Sequence, residues 1–190
     1  MTQLKVQNHV TAQWHDLVKE AEAFNGIILD EELESYLVFL LMRYTEQPDL
    51  ASKVMALEYL HGSQTNGSER QEKMRDVGDQ CLLFSGLFPK RAERRRVKIS
   101  YYVALGQTAY QNVSDLTQSA MAAMFNNLAN SFVQLMDTLQ VMRNLHQPQV
   151  QLDAITAMEL WQETDSQQAR RIVEQVTQAV PSKQQSKYKH

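Results

Sequence analysis

Between Met121 and Met142, seven apolar residues recur at alternating steps of four and three: Met121, Phe125, Leu128, Phe132, Leu135, Leu139 and Met142. His146 extends the row by another step of four. Only an α-helix brings such positions onto one face, and a row this long needs an apolar partner along its length. Met124, Ala129 and Met136 widen the stripe. The reverse face carries Asn126, Asn127, Asn130, Gln134, Asp137 and Gln140, polar but barely charged, a face suited to lying against something. The pattern predicts one helix over about 115–146. It serves either as the central helix of a bundle or as the contact of a homodimer, the bundle being the commoner use.

The rest of the chain has the same character. Only 6 Gly and 4 Pro interrupt 190 residues, of which 43% are hydrophobic, leaving room for long helices and little for hairpins. A helix is expected over 9–23 (Val10, Trp14, Leu17, Val18, Ala21), broken at Asn25-Gly26. Asp30 is placed as N-cap of a second helix over about 31–45, with Glu31, Glu32 and Glu34 in its first turn. From Tyr36 to Met42 that helix is apolar nearly all round, so other helices should surround it. A shorter helix follows, aligning Leu50, Val54, Leu57 and His61.

After the loop-like GSQTNGS at 62–68, Ser68 and Gln71 fit a capping box. The helix it opens has the stripe Met74, Val77, Cys81, Phe84 and Phe88, with Gly78 and Gly86 allowing close neighbours and Pro89 at its end. Ser100 is read as the cap of a helix over about 101–113, with Tyr102, Leu105, Ala109 and Val113 on one face. A competing strand over 97–103 would have no partner. Helices over 151–162 and 167–179 complete the set, with Asp165 and Gln168 as candidate caps of the last. The expectation is an all-α, single-domain bundle of about seven helices over residues 1–180, followed by a disordered tail at 181–190. No repeat suggests a solenoid.

One cysteine, Cys81, rules out an internal disulfide and suits a reducing, cytoplasmic location; on its apolar stripe it reads as a small buried hydrophobe. The first twenty residues lack the apolar core of a secretory signal. The longest apolar run, 36–42, falls far short of the roughly 18–20 residues of a membrane span, so no membrane partner is expected. A net charge of −3 argues against nucleic-acid binding by the chain as a whole.

The charge is unevenly spread. Residues 1–60 hold four basic side chains against ten acidic ones, whereas LFPKRAERRRVKISYY, 87–102, holds Lys90, Arg91, Arg94, Arg95, Arg96 and Lys98 against Glu93 alone. On a helical turn Arg91, Arg94 and Arg95 share a face with Lys98 near, and guanidinium forks grip carboxylates and phosphates in pairs. Tyr101 and Tyr102 could stack a base. The plainer reading is a solvated connection, or a clamp in which arginines pair with the chain's own acids, such as Glu31, Glu32, Glu34 or Asp79. In that version Lys90 and Arg91 point outward while Arg94 and Arg95 are tied down.

Glu58-x-x-His61 is half of a di-iron bundle motif, which needs a second copy and two further glutamates on other helices; no second copy is present, and His146 has no acid three residues before it. Phosphate-binding, zinc-protease and nucleophile-elbow motifs are also missing, so no catalytic residue, metal or cofactor is assigned.

The stretch at 82–110 resembles one in uncharacterised bacterial helical proteins, through Phe84, Gly86, Phe88, Arg94, Arg95, Tyr101, Tyr102, Leu105, Gly106, Ala109 and Tyr110. The resemblance implies no activity and no ligand residues. It does imply that the arginines and tyrosines form one unit. The first-ranked expectation is a soluble, non-enzymatic interaction or regulatory protein, with homodimerisation as an option. It would contact an acidic protein partner through Lys90, Arg91, Arg94, Arg95, Lys98 and Tyr101. Nucleic-acid binding by the same patch ranks second and a metal-dependent bundle enzyme third.

Overall fold

The computed structural model describes residues 2–46, 67–90, 96–146 and 151–179. Eight helices run through them: α1 (Thr2–Asn25), α2 (Glu31–Glu46), α3 (Gly67–Gly86), α4 (Ile99–Leu116), α5 (Ser119–Asn130), α6 (Phe132–His146), α7 (Ala154–Thr164) and α8 (Gln167–Ala179). No strand occurs among the described residues, and VKISYYV enters a helix at Ile99. The expected helix near 50–61, with its Glu58-x-x-His61 motif, and the tail at 181–190 lie outside the described residues.

α3 is the axis of the bundle. Every residue from Val77 to Gly86 is buried, because α4 and α6 both pack along it. Two glycines permit this. A β-carbon on Gly78 would come within 2.4 Å of the Tyr110 ring of α4, and one on Gly86 within 2.5 Å of Leu139 Cβ on α6. Ser85 sends its hydroxyl back to the Cys81 carbonyl at 2.8 Å, while its own carbonyl accepts from the Gln140 amide at 3.0 Å. Arg143, also on α6, donates to the Gly86 carbonyl at 3.0 Å, so the end of α3 is closed by side chains of a neighbour.

The expected helix over 115–146 is two helices. Thr117 ends α4, Ser119 opens α5 with φ at 59°, and Ser131 closes α5 with its N–H on the Asn127 carbonyl. The apolar row passes through the break: Phe125, Leu128, Phe132, Leu135, Leu139 and Met142 are all buried within the chain, whereas Met121 is 54% exposed. Positions seven apart on a straight helix lie about 10 Å from each other along its axis. The break lets Phe125 and Phe132 converge on one ring, each with its centroid 5.9 Å from that of Tyr110. No glycine or proline marks the break, so nothing local announces it. The reverse face is partly covered as expected: Asp137 and Gln140 are buried, and Asn127 donates to Asp30 at 2.7 Å.

Helix ends follow the sequence in places and depart from it in others. Asp30 caps α2, its carboxylate accepting the Leu33 N–H at 2.9 Å; that bond and the one from Asn127 hold its pKa below the usual carboxylate range. The capping box at Ser68 and Gln71 does not form: α3 already starts at Gly67, and the Gln71 amide donates to the Leu116 carbonyl at 2.8 Å, closing α4 instead. Ser100 is not a cap either, since α4 starts one residue before it and its hydroxyl goes to Glu163 of α7.

Asp165 ends α7 in the left-handed region, φ 58°, rather than starting α8. The N-terminus of α8 is satisfied by Ser166, which accepts the Ala169 N–H at 3.0 Å, and by Asp137 reaching across from α6. Asp137 accepts from the Ser166 hydroxyl at 2.5 Å and from the backbone N–H groups of Gln167 and Gln168 at 2.8 and 3.2 Å. Gln168 is thus a donor to a cap, not a cap.

Candidate functional site

The basic segment is only partly described. Arg91, Arg94 and Arg95 lie outside the described residues. Lys90, four residues past the end of α3, is exposed. Arg96 turns the chain with φ at 57°. Lys98 is committed within the chain: its ammonium is 2.6 Å from Glu163 and 3.8 Å from Glu159, both on α7. The hydrogen bond to Glu163 holds the Lys98 pKa above its ordinary value, and Lys98, with the Ser100 hydroxyl, holds that of Glu163 low. Together they frame a cavity of about 180 Å³ between the start of α4 and α7. Tyr101 is 46% exposed, its ring set edge-on to Tyr102 at 5.6 Å, while Tyr102 is buried against Phe84 at 5.5 Å. So the tyrosine pair is a hinge between surface and core, and Lys98 is a strut to α7.

Two acids considered as partners for the arginines are engaged elsewhere. Glu34 receives Lys19 of α1 at 2.6 Å. Asp79 sits at the centre of a polar network in the described core that joins α2, α3 and α4. Its Oδ1 accepts from the Tyr36 hydroxyl of α2 at 2.6 Å and from the Tyr110 hydroxyl of α4 at 2.8 Å, and its Oδ2 accepts from Arg43 Nη1 at 2.8 Å. Arg43 also donates to Asp76 at 2.6 Å, and Arg75 shares that carboxylate at 3.2 Å. Burial raises the Asp79 pKa, while the two hydroxyls and Arg43 oppose the rise. Burial and the neighbouring Asp79 push both tyrosine pKa values well above the ordinary range. With a guanidinium, an obligate donor, on one oxygen and two hydroxyls on the other, the geometry is that of a carboxylate.

Above this network lies a cleft of about 460 Å³ between α2, α3, α4 and α5. α3 contributes one wall through Ser68, Gln71, Glu72, Arg75 and Asp79, which helical spacing places on a single face about 16 Å long. The facing wall is apolar: Phe39 from α2, Val113 from α4, and Met121, Met124 and Phe125 from α5. Phe39 is 61% exposed, although the helix carrying it is apolar all round and was expected to be enclosed; Leu37, Val38, Leu40 and Leu41 beside it are buried. Tyr36 bridges floor and wall, its ring edge-on to Phe125 at 6.1 Å.

Among the described residues no three histidine, cysteine, aspartate or glutamate side chains gather as a metal ion would require. No described helix is long and apolar enough to cross a membrane. Cys81 is fully buried, and burial pushes its thiol pKa far up, so it packs as a hydrophobe. No protein-family model, curated protein or solved structure matches the chain.

The residues of the cleft and its floor come from positions 36–43, 68–79, 110–117 and 121–125, and sequence spacing relates none of these groups. One signal was available. Asp79 interrupts the apolar stripe of its own helix between Val77 and Cys81, where a charge must find buried partners.

Proposed function

We propose that the protein is a non-enzymatic binding protein whose recognition site is the cleft between α2, α3, α4 and α5. The observation that carries this is the pairing of exposed apolar side chains with a formed concavity: Phe39 and Met121, 61% and 54% exposed, stand on the same cleft. Exposed apolar residues scattered singly need no explanation, but two on one cleft of ligand size point to an occupant. Methionine suits such a wall, because its unbranched thioether adapts to the shape of what it meets.

The floor supports binding over chemistry. Tyr36 and Tyr110 spend their hydroxyl donors on Asp79, and Arg43 is divided between Asp79 and Asp76, so the titratable groups of the floor are engaged with one another. The occupant this cleft fits is an amphipathic small molecule or side chain, its apolar part on Phe39, Met121 and Met124 and its polar part toward α3.

The test is a titration of protein carrying ¹³C-methyl methionine with n-octanol, the Met121 and Met124 signals being assigned from Met121→Leu and Met124→Leu. The expected result is a saturable shift of those two methyls with none at Met74, which is fully buried in the core. Phe39→Ser should weaken the shift several-fold without unfolding the protein, since most of that ring is in solvent. Linear, unsaturable shifts spread over all methionines would refute the reading.

A further inference from the structure

We infer that the ligand of the cleft is an organic cation, an amine or quaternary ammonium borne on an apolar body. This rests on the reading of the cleft as a ligand site and adds the sign of the ligand's charge. Three aromatic rings line the cleft, Tyr36, Phe39 and Phe125, and the faces of such rings attract cations. The thioethers of Met121 and Met124 extend the same soft, polarisable wall.

The charges on the opposite side have an excess of one sign. Three carboxylates, Glu72, Asp76 and Asp79, stand against two guanidinium groups, Arg43 and Arg75. Arg43 spans Asp76 and Asp79 at 2.6 and 2.8 Å and is therefore consumed by the floor. Arg75, the cation lining the cleft itself, is already held by Asp76 at 3.2 Å and reaches Glu72 only at 3.9 Å. Glu72 is 70% exposed and has no shorter ion pair, so it stands on the wall as the least compensated charge. Elsewhere on the same helix Lys73 is spent on Glu69 at 2.8 Å, and Arg70, which helical spacing turns away from the cleft, donates to Asn112 at 3.5 Å. An arriving anion would meet a surplus of negative charge and an occupied guanidinium. An arriving cation would meet Glu72 and the exposed Phe39 ring.

Three probes of equal chain length separate this inference from the reading beneath it: n-octylammonium, n-octanol and octanoate, each titrated at low ionic strength and below its aggregation threshold against the Met121 and Met124 methyl signals. The expected order of affinity is octylammonium, then octanol, then octanoate. Glu72→Gln, a change at an exposed position, should weaken octylammonium about two- to fivefold, as for other solvent-facing ion pairs, and affect octanol less. Octanoate binding as tightly as octylammonium, or an octylammonium affinity indifferent to Glu72→Gln, would overturn the cation assignment while leaving the cleft a ligand site. Absence of saturable binding by all three, octanol included, would instead remove the ligand site itself.

Discussion

Asp137 offers the most quantitative test of the structure. It is 1% exposed on α6 and accepts three hydrogen bonds from the start of α8. Burial pushes its pKa up to about 6, against the pull of those bonds and of Arg171. An acid whose pKa is higher in the folded than in the unfolded chain holds a proton in the folded state that the unfolded chain has released. Stability then falls as pH rises between the two values, here from about 4 to about 6, and stays level above. At about 1.4 kcal/mol per unit the loss is about 2–3 kcal/mol.

Asp137→Asn removes the titration and keeps the geometry. Its amide oxygen can accept the two backbone N–H groups, and its NH₂ can donate to the Ser166 oxygen. The variant should match the wild type near pH 4 and exceed its stability by about 1–3 kcal/mol at pH 7. Asp137→Ala, by contrast, strands three buried donors and should cost about 2–4 kcal/mol near pH 4, a deficit that shrinks toward pH 7 as the wild type loses its own pH-dependent stability. Urea unfolding from pH 4 to 7.5, followed by helical circular dichroism and by tryptophan fluorescence, measures both; Trp161 lies on α7 beside Arg170 of α8. Subtracting wild type from Asp137→Asn cancels the other titrating groups. A difference that stays flat with pH, or an Asp137→Asn protein less stable than wild type at pH 7, would refute the reasoning.

Other outcomes follow from the same packing. Tyr36→Phe and Tyr110→Phe each delete one donor to Asp79 and should cost about 1 kcal/mol in urea melts; because both act on one oxygen, the double variant should depart from the sum. Gly78→Ala forces a methyl into the Tyr110 ring and should destabilise by about 1–3 kcal/mol, with an altered near-ultraviolet spectrum as that ring is displaced. Cys81 should be silent toward a thiol reagent in native buffer and react once the protein is denatured; rapid native labelling would contradict its full burial.

Helix content was legible because breakers are few and apolar spacing is regular, and the Asp30 cap and the close approaches at Gly78 and Gly86 could be read from residue type. What escaped was non-local. The division of 115–146 depends on where Tyr110 lies, and no residue at Ser131 encodes it. α8 is capped by a side chain 30 residues away, so the polar residues beside it were misread as its caps. The basic segment drew attention through its charge, yet Lys98 turned out to answer an acidic pair on α7. The cleft was hidden for a related reason. Phe39 and Met121 looked like members of buried stripes, and only the arrangement of four helices leaves both exposed on one cleft.

The unbroken burial of α3 from Val77 to Gly86 bears on how the molecule comes apart. A helix at the surface can fray one face at a time, but here neighbours cover the whole circumference. Its amide protons can exchange with solvent only when α4 and α6 both leave. They should be the slowest in the protein, exchanging together at the rate of global opening. α8, buried on one face only, through Gln168, Ala169, Ile172 and Val173, can let go first.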